Sequence, residues 1–268
     1  SELVEAGARE INIIAQDTSA YGLQRYGGKR LAELLRRMAG SVGGDIWFRL
    51  MYVFPGHLDD DMLGVMAEDS RFCRYVDIPL QHIHDPLLRA MRRPCTKEET
   101  IRLLDRIRDK LPGVALRTAL IVGFPGETEE AFEELLAFVQ EQAFDHLGVF
   151  TYSAEPGTRA GRMAGTVSEE EKQRRRASIM QVQQDLSALK LRRLKGCVEE
   201  VMLDGEGVLE EGGRKRRVPC GRTRRQAPEI DGQVVLVRRP KGFRVTPGSC
   251  CRVKILDAAA YDLLAEVC

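Results

Sequence analysis

Leu116-Arg117-Thr118-Ala119-Leu120-Ile121-Val122-Gly123-Phe124-Pro125-Gly126-Glu127-Thr128-Glu129-Glu130 is the stretch on which the fold turns. Residues 116–122 are short, largely apolar and partly β-branched, which suits a strand covered on both faces. Gly-Phe-Pro-Gly then breaks the strand, and Thr128 caps a helix whose acidic first turn, Glu129 and Glu130, complements the helix dipole. A doubly covered strand that passes through a short turn into a helix is one unit of a parallel β/α arrangement.

Working outward, the same pattern recurs. Strands are expected at residues 11–15 (buried on both faces), 46–53, 75–80 and 146–152, with helices at 29–38 and 60–69. Asp85 reads as an N-cap with Pro86 in the first turn, and Thr96 with Glu99 forms a capping box opening a helix with Ile101, Leu104, Ile107 and Leu111 on one face. Ser168 and Glu171 make a second capping box, starting a long connecting helix lined by Ile179, Val182, Leu186 and Leu189. Residues 2–6 read as a helix tail stopped by Gly7, so the chain, with Ser1 first, is expected to begin inside an element. Five β/α units indicate a parallel sheet, either barrel-like or doubly wound; periodicity does not choose. From Gly196 short β-rich runs (198–203, 233–237, 251–255) separated by Gly, Pro and charge indicate a small all-β barrel. The expected division is residues 1–165 as a partial β/α barrel, 166–195 as the connecting helix and 196–268 as the second barrel.

With 43% hydrophobic and 30% charged residues the chain can bury a core as a soluble globular protein, and no apolar run approaches the roughly 20 residues of a membrane span. A cytoplasmic protein is expected. Net charge is +1, so nucleic-acid affinity would have to come from local clusters: Arg214-Lys215-Arg216-Arg217, Arg222, Arg224 and Arg225, Arg174 to Arg176, and Arg192-Arg193. The seven cysteines are scattered and odd in number, which favours reduced thiols over disulfides or a metal site.

Ligands of parallel α/β proteins lie at the carboxyl ends of the strands. Gln16-Asp17, Gln81-His82, residues 123–127 and Tyr152-Ser153 gather there. Gly123 and Gly126 let a flat heterocycle approach beside Phe124, or simply make a turn. Gln16 and Asp17 bind a ligand or cap a loop. His82 and His84 lack a third metal ligand nearby in sequence, and Arg117, one step into an apolar strand, needs a buried acidic partner or an anionic ligand.

Four motifs in fixed order, Ala15-Gln16-Asp17-Thr18-Ser19-Ala20-Tyr21-Gly22, Asp77-Ile78-Pro79-Leu80-Gln81-His82, Gly123-Phe124-Pro125-Gly126-Glu127-Thr128 and Phe150-Thr151-Tyr152-Ser153, resemble the methylthiotransferase branch of the radical S-adenosylmethionine superfamily. Gln16-Asp17, Leu80-Gln81-His82 and Ala227-Pro228-Glu229-Ile230-Asp231-Gly232 resemble the members that act on an aspartate of a small-subunit ribosomal protein. The resemblance implies a partial barrel of six β/α units, here without its first strand, and a TRAM domain over 196–268. It implies an S-adenosylmethionine pocket at Gln16, Gln81, Arg117, Gly123, Phe124, Pro125, Gly126, Glu127 and Tyr152. It also implies a four-iron four-sulfur cluster held by Cys-x-x-x-Cys-x-x-Cys, because three thiolates leave one iron open to the cofactor. None of the seven cysteines has that spacing, so neither metal ligands nor catalytic residues are assigned within this chain. The resemblance implies an N-terminal domain with a second cluster as well, which is expected to be missing from these residues. The parent enzyme would abstract a hydrogen from an aspartate carbon and insert a thiomethyl group, whereas these residues alone are expected to be inactive. The partners implied are a ribosomal protein and, beside it, ribosomal RNA; a monomer with no membrane association is expected. The alternatives are a fragment of the transfer-RNA-modifying branch and an RNA-binding module, the latter disfavoured because Phe243 and Tyr261 are the sole aromatics of the last domain.

Overall fold

The computed structural model describes residues 2–211 and 213–268, apart from the side chains of residues 210, 211 and 214, so Ser1 and the Arg214 side chain named above lie outside the described residues. In chain order its helices are α1 (Glu2–Glu5), α2 (Leu23–Tyr26), α3 (Leu31–Ser41), α4 (Asp60–Glu68), α5 (Asp85–Ala90), α6 (Lys97–Lys110), α7 (Glu129–Gln142) and α8 (Glu169–Arg192). The first five strands are β1 (Glu10–Ile13), β2 (Trp47–Leu50), β3 (Phe72–Asp77), β4 (Ala115–Val122) and β5 (His146–Thr151), all parallel and paired in sequential order.

That order settles the choice left open by periodicity. Each crossover advances one place in the same direction, whereas a doubly wound sheet reverses partway; the sheet is therefore a singly wound, barrel-type α/β arrangement. The period-2 alternation of the strands explains its burial. Phe48 and Leu50, Phe72 and Val76, Leu116, Leu120 and Val122, and Val149 face the helices and join Leu35, Met62, Leu104, Ile107 and Phe138 in the main core. The intervening residues Trp47, Met51, Cys73, Tyr75 and Ala115 point the other way, into a separate cluster with Met202 and Ala227 of the second domain.

Several local expectations are corrected. The strand expected over 11–15 is β1, which pairs on one side alone; Ile11 and Ile13 are half-buried and Ile14 is 60% exposed, so it is not covered on both faces. The strand expected over 75–80 is shifted to Phe72–Asp77, because Pro79 has no N–H for the ladder, and the chain rejoins β4 through a single bridge between Gln81 and Leu120. His84 rather than Asp85 is the N-cap of α5; Asp85 accepts instead from the Lys97 amide at 2.8 Å. Thr96 and Glu99 form the full capping box, whereas Ser168 forms half of one, since Glu171 turns to Arg174 and Arg175. The buried stripe of α8 is Arg175, Ile179, Gln183 and Ser187, with Val182 and Leu186 flanking it and Leu189 facing outward; Ile179 packs in the main core, so α8 covers the sheet as well as leading onward.

Residues 196–268 contain β6 (Val198–Glu211), β7 (Arg214–Arg222), β8 (Val234–Arg238), β9 (Cys250–Ala258) and β10 (Leu263–Val267), closed into a barrel in the order β10-β8-β7-β6-β9. Val201, Leu203, Val234, Leu236, Val253, Ile255 and Leu263 fill it. The basic run at 214–217 belongs to β7, paired antiparallel with β6.

This barrel docks against the face of the sheet opposite the helices, with buried charge at the contact. Glu10 accepts from Arg49 Nε at 2.7 Å and lies 2.6 Å from Arg222 of the second domain. Arg49 also donates to the Arg224 carbonyl at 3.0 Å, while the Arg224 guanidinium sits 4.6 Å from the centre of the Trp47 ring. Asp231 accepts from Tyr75 Oη (2.7 Å) and the Ala227 amide (2.8 Å) and lies near His146 Nδ1 (3.3 Å). Such buried pairs fix how two surfaces register more than they add net stability, but removing one member is costly.

Burial pushes the Cys73 thiol from an ordinary value of 9.0 up to about 11. At pH 8 it is therefore expected to resist alkylation in the folded protein, while the exposed Cys197, Cys250 and Cys268 react. Because the folded-state value lies above the unfolded one, the contribution of Cys73 to stability is intact below about pH 9 and is lost as pH rises through about 11. Time-resolved labelling with mass readout checks this; labelling of Cys73 as fast as that of Cys268 would refute it.

Candidate cofactor site

The carboxyl ends of β2, β3, β4 and β5 open into a cavity of about 340 Å³ lined by Gln16, Tyr52, Val53, Phe54, Pro79, Gln81, Arg93, Arg117, Ala119, Ile121 and Phe150. A neighbouring hollow of about 360 Å³ shares Gln81, Arg93 and Ile121 with it and adds Arg92, Phe124, Tyr152 and Arg159. Its backbone is unusual: Tyr52, Gln81 and Arg92 have φ of 53°, 73° and 58°. Left-handed conformations cost a non-glycine residue about 1 kcal/mol or more and collect at ligand sites. At Gln81 the flanking bonds enforce the conformation, since its amide donates to the Ala119 carbonyl (2.9 Å) and its carbonyl accepts from Ile121 (2.8 Å).

The structure brings together Gln16, Gln81 and Arg117 in the first cavity, and Gln81, Phe124 and Tyr152 in the second. Arg117 has found its acidic partner: Nη1 donates to Asp77 at 2.8 Å, and Asp231 is 3.7 Å from Nε. Burial works most strongly against its charge, but Asp77 together with Tyr75 and Asp231 more than offsets it, so the guanidinium is held above its ordinary value. Tyr152 meets Phe124 edge-on at 5.1 Å, and its buried hydroxyl has no hydrogen-bond partner among the described residues.

The rest of the Gly-Phe-Pro-Gly-Glu block does other work. Glu127 is buried; it receives the Gly123 amide, lies 3.1 Å from Arg175 and accepts from His82 Nε2 at 3.3 Å. His82 Nδ1 accepts from the His84 amide (3.0 Å), which places the ring proton on Nε2, toward Glu127. Gly123 (φ +75°) has Lys172 where a Cβ would project, and the Gly126 amide donates to the Gly165 carbonyl at 2.8 Å, so both glycines are held in the turn; Pro125 is buried there and lines neither cavity. Asp17 accepts from the Ala20 amide at 3.2 Å and from His57 Nδ1 at 2.7 Å, a capping role. His84 pairs with Glu134 at 2.6 Å.

Sequence reasoning missed Tyr52, Phe54, Arg92, Arg93 and Phe150. Tyr52 falls inside the strand expected over 46–53, which ends at Leu50, and Phe54 lies just past that expected strand. The arginine pair before Pro94, in the loop following Gln81, was the available signal for Arg92 and Arg93.

A profile of the Radical SAM superfamily matches residues 1–139, and one of the TRAM domain matches residues 196–268. The ribosomal protein uS12 methylthiotransferase RimO of Pelotomaculum thermopropionicum is 43% identical over 265 residues, 99% of this chain and 58% of that protein; the protein of the same name from Geobacter sulfurreducens is 42% identical over 99% of this chain and 57% of its own length. The chain thus spans less than two thirds of these relatives. Among solved structures, coproporphyrinogen III oxidase from Escherichia coli, described as a radical SAM enzyme, aligns with 23% identity and a TM-score of 0.45 over 57% of this chain and 35% of that one.

Proposed function

Because this chain belongs to the radical SAM superfamily, we propose that it is the cofactor-holding and substrate-docking part of a methylthiotransferase acting on an aspartate of ribosomal protein uS12. What supports this most is the likeness to uS12 methylthiotransferases along 99% of the chain. S-adenosylmethionine would supply the radical chemistry of the family. The cavity suits such a molecule: the Phe124 and Tyr152 rings offer apolar contact to adenine, the Gln16 and Gln81 amides offer hydrogen bonds, and the orphaned Tyr152 hydroxyl lacks the partner that a polar ligand would provide. We assign to the ligand Gln16, Gln81, Phe124 and Tyr152, with Arg117 at the cavity floor.

The four-iron cluster is a different matter. No three of the seven cysteines stand at Cys-x-x-x-Cys-x-x-Cys, so these residues do not fit the cluster, and we expect them to be inactive by themselves. Two measurements test the reading. Incubation with iron, sulfide and a thiol, followed by metal analysis, should leave iron and sulfide at background; a stoichiometric cluster on this chain would overturn the inactivity. Binding to uS12 should exceed binding to transfer RNA and weaken shallowly with salt, since a steep loss marks phosphate contacts; selective retention of transfer RNA would favour the RNA-modifying branch.

A further inference from the structure

Neither of the two neighbouring cavities is lined by an Asp or Glu among the described residues, yet Arg93 lines both, and Arg92 and Arg159 line the second. The guanidiniums that burial takes out of water elsewhere each have a carboxylate: Arg49 has Glu10, Arg117 has Asp77, Arg175 has Glu127, and Arg222 has Glu10 and Asp204. Arg93 differs. It is half-buried, its guanidinium lies 5.5 Å from the centre of the Phe54 ring, and among the described residues it has no ion pair and no side-chain hydrogen bond. Burial pulls its charge below the ordinary value, with the Cys95 thiol alone opposing, which is the reverse of Arg117. An unpaired guanidinium held in a cavity wall is an unfilled site for a planar anion, because its fork of donors matches a carboxylate. The placement is built in: the Arg93 amide donates to the Leu88 carbonyl at 2.8 Å, and Arg92 before it is held at φ 58°.

We propose that Arg93, stacked on Phe54 and flanked by Arg92 and Arg159, is a carboxylate-reading residue of this cavity. Resting on the proposed methylthiotransferase activity, two carboxylates come here: that of the target aspartyl side chain and that of the methionine end of the cofactor. Both present the same chemistry to a guanidinium. If Arg93 reads the aspartyl group, it gives the site a reason to accept aspartate over its isosteric amide asparagine.

The test uses the chain as it stands, with ligand-observed NMR titrations of N-acetyl-aspartate methylamide, N-acetyl-asparagine methylamide and S-adenosylmethionine, each against wild type, Arg93→Gln, Arg93→Lys and Arg159→Gln. Loss of a charge-assisted pair should weaken the affected carboxylate ligand about tenfold in Arg93→Gln, and less in Arg93→Lys, which keeps the charge and loses the fork. Arg159→Gln, at an exposed position, should weaken the same ligand by a smaller factor. A loss confined to the aspartate compound assigns the target group; a loss confined to S-adenosylmethionine assigns the cofactor. Equal binding of all three ligands by wild type and Arg93→Gln overturns the proposal, provided both proteins melt alike. Failure of the methylthiotransferase reading would show separately, as absence of uS12 binding by wild type, and leaves the carboxylate titrations interpretable.

Discussion

Replacing Glu127 with alanine is expected to lower stability by about 3–5 kcal/mol, as removal of one partner from a buried ion pair does. The carboxylate stands between Arg175, His82 and the Gly123 amide, and its side chain is 0% exposed, so no water can take its place without rearrangement. Arg175 would keep Glu171 and Glu129 at its outer edge but lose its inner partner. For a chain of this size the loss corresponds to a fall in melting temperature of about 10 °C. Glu127→Gln, which keeps the shape and one acceptor, should fall between. Calorimetric melting and S-adenosylmethionine titration on the same samples separate the two roles that the position can have. A variant that melts like wild type and has lost the ligand would make Glu127 a cofactor contact after all.

The second large effect is expected at Glu10. This one carboxylate, 4% exposed at its side chain, joins Arg49 of the sheet to Arg222 of the small barrel. Without it Arg49, fully buried, keeps a single carbonyl and the Tyr75 ring at 4.7 Å, while Arg222 keeps Asp204. Glu10→Ala should therefore cost about 3–5 kcal/mol, concentrated at the seam between the domains. The sole tryptophan, Trp47, lies at that seam beneath Arg224, so its emission reports undocking directly. The expected result is an unfolding curve that splits in two, with the fluorescence change at the lower step. One transition at the wild-type temperature would show that the apolar cluster of Trp47, Tyr75, Met202 and Ala227 holds the domains without the charge.

Much of the framework was legible because it is local chemistry. Thr96 with Glu99, Thr128 before two glutamates, and the apolar run of β4 each carry their signal within a few residues, and all three elements form, although β4 is not covered on both faces as expected, since half-buried Arg117, Ala119 and Ile121 line the cavity. The strand ends carried Gln16, Gln81 and Tyr152 to two neighbouring cavities that share Gln81, for the same reason: parallel winding puts every carboxyl end on one side. What the chain hid depends on distant partners. Asp231 meets Tyr75 across 156 positions and Arg49 meets the Arg224 carbonyl across 175, and no periodicity announces either. The Gly-Phe-Pro-Gly-Glu block was half readable: Phe124 reaches the cavity, but the fate of Glu127 was decided by Arg175, on a helix that the sequence presented as a mere link.

The small barrel packs on Trp47, Cys73, Tyr75 and Ala115, toward the starts of the strands, while both cavities are lined from their carboxyl ends, so docking and ligand holding occupy different ends of one sheet. A substitution at Glu10 can therefore loosen the two domains without entering the lining of either cavity.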